Sequence, residues 1–115
     1  MSNILQLLQD DFSVKKSKMR SLKVEELGFE IYCTPLTLRQ KDAILAKTKK
    51  VDSQLSLYVY ALIECALDAD GNNVFSGKDK PVLMNEVDSD IVLRMGNFVL
   101  GTDEDSIEED TEKNG

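Results

Sequence analysis

The residues best suited to chemistry lie together in Asp68-Ala69-Asp70-Gly71-Asn72-Asn73, between two apolar runs. Oxygen donors at alternate positions beside a glycine suggest a calcium loop. Such a loop takes acids or amides at positions one, three and five, glycine at six and a bidentate glutamate at twelve. With Asp68 as position one, Asp70 and Asn72 fall at three and five. The glycine then falls at four, Asn73 stands at six and Asp79 at twelve. The bend is misplaced and the last ligand is missing. A tight reversal fits better, because Asp-Gly and Asn-Asn tolerate the positive φ that a sharp turn needs. Asp68, Asp70, Gly71 and Phe75 are therefore read as a structural turn, with no metal and no cofactor.

Other chemistry is scarcer still. The chain has no histidine, which removes the usual proton shuttle and zinc ligand and rules out serine-histidine and cysteine-histidine catalysis. The carboxylate pairs Glu25 with Glu26 and Asp88 with Asp90 sit at a turn and at a helix start. They read as solvated charges and helix-dipole partners rather than an acid-base couple. The six glycines are scattered and form no phosphate cradle. Cys33 and Cys65 are too few for a disulfide framework and read as small buried hydrophobes. The expectation is a protein that is not an enzyme.

The elements that carry these residues follow from the pattern of apolar positions. Ile4, Leu5, Leu8 and Phe12 have helical spacing, predicting an amphipathic helix over about residues 3–11. Ser13 to Ser21 is polar and holds Lys15, Lys16, Lys18 and Arg20. It is read as a flexible solvated arm, and without interleaved aromatics it does not suggest nucleic-acid binding. Leu22 and Val24 alternate, then Phe29, Ile31 and Cys33 alternate beyond a turn at Glu25–Gly28, predicting a hairpin with one apolar face. Thr37-Leu38-Arg39-Gln40 reads as a capping box. Its helix would run to about Lys49 with Leu38, Ile44 and Leu45 inward, and Lys47, Lys49 and Lys50 at the negative end of its dipole.

Asp52 or Ser53 is expected to cap the next helix. That helix is apolar except for a narrow wet stripe of Ser53, Ser56, Tyr60 and Glu64. Such a helix is a core centre, or is covered by a partner, or both. After the Asp68 turn, Val74 and Phe75 suggest a short strand. Asp79-Lys80-Pro81 suggests a helix start with Leu83, Met84 and Val87 inward. Asp88-Ser89-Asp90 restarts or continues this helix, with Ile91, Met95, Phe98 and Val99 as its stripe, and Gly101 stops it.

The expected fold class is α+β, mainly α. A small β-hairpin packs against a bundle of three to four helices, with an N-terminal amphipathic helix and a disordered acidic C-terminal tail. The expected organisation is 1–21 helix and basic arm, 22–101 core domain, and 102–115 acidic flexible tail. The chain has 115 residues and a net charge of −7, which suits one modest domain. Seven acids against Lys113 lie in the last fourteen residues, so the remaining body is nearly neutral. The tail has one isoleucine and no aromatic residue, too little to fold alone. The N-terminus lacks a basic and apolar leader, and Leu55 to Leu67 is too short and holds Glu64, so neither a signal peptide nor a membrane span is expected.

The order of these elements carries a resemblance. A hairpin with Val24-Glu25-Glu26-Leu27-Gly28-Phe29-Glu30-Ile31 precedes Pro35-Leu36-Thr37-Leu38-Arg39-Gln40. An apolar helix then enters Leu67-Asp68-Ala69-Asp70-Gly71-Asn72-Asn73-Val74-Phe75, and two helices lead to Gly101. Over about Val24 to Gly101, this resembles the tail assembly chaperones of lambda-like long-tailed bacteriophages.

The resemblance implies a non-enzymatic protein of the host cell cytoplasm, absent from the mature virion. It implies binding to the long helical tape-measure protein, and recruitment of the tail-tube protein through a longer, frameshifted form. Glutamate, lysine and asparagine codons at Glu112-Lys113-Asn114 can be written as the slippery run A-AAA-AAC in the phase a −1 slip needs. Self-association into an oligomer or open spiral is expected, with Ile4, Leu5, Leu8 and Phe12 contacting a neighbouring subunit or the client. Neither nucleic acid nor membrane is an expected partner. The competing readings are an acidic phage inhibitor that mimics DNA, a small calcium-binding protein and an unrelated adaptor. The first needs carboxylates spread over a folded face, whereas here they gather at one end.

Overall fold

A computed structural model describes residues 3–48 and 54–102. The acidic tail beyond Thr102, Lys49 and Lys50, and Asp52 and Ser53 lie outside the described residues. The expected helix cap at Asp52 or Ser53 is corrected, because that helix begins later, at Ser56, with Leu55 at its N-cap and no side-chain cap bond. Helix α1 spans Asn3–Lys16, strand β1 Arg20–Val24 and strand β2 Phe29–Cys33. Helix α2 spans Leu38–Thr48 and α3 Ser56–Cys65. A single 3-10 turn at Gly77–Asp79 runs into α4, Lys80–Asn85, and α5 spans Ser89–Leu100. The fold is mainly α with one small hairpin, as its patterning predicts.

The hairpin is antiparallel, with Leu22 opposite Ile31 and Val24 opposite Phe29. Its alternation sends Val24, Ile31 and Cys33 into the core, with Leu22 and Phe29 at its margin. The 25–28 turn closes on the Val24 carbonyl, which accepts from the Leu27 and Gly28 amides at 3.1 and 2.9 Å. Helix α3 lies at the centre, packed against α2, α4 and α5. Val59, Ala61 and Leu62 of α3 meet Val92, Met95, Phe98 and Val99 of α5 in one core. Arg20 ties the hairpin to this bundle. Its guanidinium donates to the Phe98 carbonyl at 2.6 Å and lies 4.7 Å from the Phe98 ring centroid.

The helix ends follow local chemistry. The Thr37 amide donates to Gln40 Oε1 at 2.8 Å, and the Gln40 amide donates to Thr37 Oγ1 at 3.1 Å, a reciprocal capping box. Asp88 caps α5 by accepting from the Ile91 amide. Gly101 ends α5 in the left-handed region at φ 78°, where the absence of a Cβ removes the steric cost.

Five further expectations are corrected. Helix α1 continues past residue 11 to Lys16, and Arg20 and Ser21 belong to β1, so the expected arm of 13–21 is largely ordered secondary structure. The Asp11–Lys15 ion pair at 3.0 Å supports that extra helix length. On α2, Ile44 is buried but Leu38 and Leu45 are exposed, because α3 covers only one narrow stripe. Ser56 is buried rather than on a wet stripe, and Tyr60 is half-covered, with Lys80 Nζ of α4 5.2 Å from its ring centroid. The strand expected at Val74 and Phe75 reduces to isolated bridges around Leu67. On α4, Leu83 is buried while Met84 is exposed, since a helix of six residues turns only one edge to the core, and Val87, in the link between α4 and α5, is exposed as well.

Candidate interaction site

The Asp68 loop is built by its own backbone. Asp68 Oδ1 accepts from the amides of Asp70 at 2.9 Å and Asn72 at 3.0 Å. The Asp68 carbonyl accepts from Gly71, and the Asp68 amide donates to the Asn72 carbonyl. Gly71 supplies the left-handed conformation at φ 87°, and no other residue of the loop has positive φ, so the two asparagines are not used that way. Asn73 instead donates its side-chain amide to the Ile63 and Glu64 carbonyls, which the end of α3 leaves without helical partners.

Leu67 pairs with the outer edge of β2, exchanging two 2.8 Å bonds with Tyr32, and Phe75 packs on the core margin. Asp70 contributes its amide, while its carboxylate is exposed. The loop thus folds the chain back over the hairpin and covers the β2 edge. Among the described residues no cluster of three or more acids or cysteines could hold a metal ion.

None of the four α1 residues expected to make contacts is buried. Ile4, Leu5 and Leu8 are 72, 62 and 62% exposed, Leu7 and Val14 are exposed beside them, and no residue of α1 is buried. Phe12 is half-covered, with Lys16 Nζ 6.0 Å from its ring centroid. A 14-residue helix that buries nothing is marginal by itself in water.

Besides a wide, shallow one along α2 at Leu38, Arg39, Lys41, Asp42 and Leu45, the concave surfaces on the body include two that lie between helices. One, of about 230 Å³, lies between α2 and α3, lined by Leu36, Gln40, Ile44 and Cys65 with the Lys47–Glu64 ion pair at its rim. Burial, followed by the nearby charge of Glu64 and the thiol of Cys33, pushes the Cys65 thiol up to about 11. That disfavours the thiolate, so this cleft has no activated nucleophile. The second, of about 140 Å³, lies between the N-terminal parts of α3 and α5 and the helix α4. Val59, Leu83, Met84, Val87 and Val92 line it, and Leu55 stands exposed at its edge.

Sequence reasoning missed this second groove. Its signal was present in the apolar side chains of Met84 and Val87, which were assigned to the core. On a helix of six residues and the short link after it, too many apolar positions face too little core, and the surplus forms a surface.

Compared with models of protein families, with curated proteins and with solved structures, the chain matches none. No described helix is long and apolar enough to cross a membrane.

Proposed function

We propose that this protein is a non-enzymatic tail assembly chaperone of the kind made by lambda-like long-tailed phages. It coats the tape-measure protein in the host cytoplasm, keeps it soluble, and helps recruit tail-tube subunits before leaving the finished tail. Self-association along the client is part of this reading, as is a longer frameshifted form that continues beyond the acidic tail.

The observation that carries the proposal is α1, a helix with an apolar stripe and no buried residue. It is joined to a body whose order of elements resembles that family. Exposed apolar stripes on a long helical client promote aggregation unless covered. Many weak apolar contacts along one chain sum to firm binding through effective concentration.

Co-expression with the tape-measure protein tests the function. The soluble fraction of the client should rise with this protein and fall back when Leu8 and Phe12 are both replaced by aspartate. An unchanged soluble fraction would remove the proposal. The nucleotides encoding Glu112 to Gly115 test the frameshift separately: codons other than a slippery adenine run, or an immediate stop in the −1 frame, would dismiss it.

A further inference from the structure

We propose that α1 of one copy seats in the α3–α4–α5 groove of a second copy, joining molecules head to tail. This rests on the self-association in the reading above, but not on the client.

Both surfaces leave apolar side chains exposed within one chain: Ile4, Leu5 and Leu8 on α1, and Leu55, Met84 and Val87 around a groove floor of buried Val59, Leu83 and Val92. Ile4, Leu8 and Phe12 follow each other at i, i+4 and i+8, with Leu5 beside them, which is the form that enters a groove side-on. The receiving groove is lined by Val59, Leu83, Met84, Val87 and Val92.

The two surfaces belong to opposite ends of α5. The chain leaving α1 at Lys16 enters β1 at Arg20, which is bonded to the Phe98 carbonyl near the C-terminus of α5. The groove opens at Ser89 and Val92, near its N-terminus. The nine helical rises from Ser89 to Phe98 put about 13 Å of helix between these points. A donor at one end and an acceptor at the other make a heterologous contact, which propagates into a ring or an open spiral.

Charge favours the same pairing. Glu86, Asp88 and Asp90 are exposed beside the groove, while α1 ends in Lys15 and Lys16 and is followed by Lys18. Some of these charges have local partners: Lys15 pairs with Asp11, Asp88 accepts from the Ile91 amide, and Arg94 lies near both Asp88 and Asp90. The electrostatic part therefore guides orientation, and the apolar contact holds the joint.

Sedimentation of the full chain tests this without any client. The parent should gain mass with concentration. A Leu8→Asp, Phe12→Asp variant should remain monomeric where the parent assembles, and so should a Met84→Asp, Val87→Asp variant. Each retains one intact half of the joint, so mixing them should give a one-to-one dimer and nothing larger. Far-ultraviolet circular dichroism checks that both variants keep their helices.

If the groove variant loses its helices, a full chain carrying Leu8→Cys and Val87→Cys replaces it. Oxidation should yield a ladder of linked copies, absent when Lys23→Cys takes the place of Val87→Cys. A parent that stays monomeric at every concentration, a mixture of folded variants that stays monomeric, or no ladder overturns the proposal. Unchanged client solubility with intact assembly would instead remove only the chaperone reading.

Discussion

Gly96 stands where α5 passes close to Tyr58 of α3. A Cβ added there would lie 2.7 Å from Tyr58 Cβ and 3.2 Å from Tyr58 Cα. Neither atom is the end of a flexible side chain, so the helices themselves must separate. Gly96→Ala should destabilise the protein by about 1–3 kcal/mol through overpacking, in spite of the roughly 1 kcal/mol that alanine offers in a helix. Urea unfolding of the variant beside the parent measures it.

Glu26 shows a different residue-level effect. It was read as a solvated charge, but it pairs with Arg94 across the fold. The hydrogen bond from Arg94 holds its carboxyl down from 4.5 to about 2. A depressed carboxyl stabilises the fold above its unfolded value, and that contribution disappears as pH falls from about 4.5 towards 2. Both groups are exposed, so salt should screen the effect. Glu26→Gln should flatten this part of the acid limb in thermal melts, more visibly at low salt than at high. The glycine inside a helical pattern was a local sign of close packing. The ion pair joins residues far apart in the chain, and no local pattern announces it.

At the scale of elements, caps and stops were legible because they are made within a few residues. Thr37 with Gln40, Asp88 with Ile91, and Gly101 all do what their types and spacing imply. Asp88→Ala should cost about 1 kcal/mol, with the loss seen as a lower denaturation midpoint. Asp68→Ala removes the acceptor of two loop amides, Asp70 and Asn72, and should cost about 1–3 kcal/mol. Its effect should include faster amide exchange at Leu67 and Tyr32, whose pairing depends on the loop's position. Inward faces were less legible. Leu38, Leu45 and Met84 have core-type side chains, yet a helix covered on one side has room for only some of them, and Val87 in the link after α4 is left outside as well.

At the scale of the molecule, the main question is what covers α1. Its amides should exchange rapidly in dilute protein, because a short helix without tertiary contacts opens freely. In the assembled state they should become protected, while those of α3 and α5 change little. Hydrogen exchange at low and high protein concentration distinguishes the two. Protection of α1 that is already complete in the monomer would mean that the helix needs no neighbour.

The sequence by itself determined the element types, most of their boundaries, the hairpin face and the caps of α2 and α5, while the expected cap of α3 did not form. It also determined the absence of histidine chemistry and the misfit of the Asp68 segment to a calcium loop. These depend on period, spacing and side-chain type over a few residues. Tertiary structure alone decided that Ser56 is buried while Met84 and Val87 are not, that Gly96 meets Tyr58, and that Glu26 meets Arg94. It also decided where the α3–α4–α5 groove opens relative to α1. Burial depends on what lies opposite a side chain, and that is set by how distant elements pack.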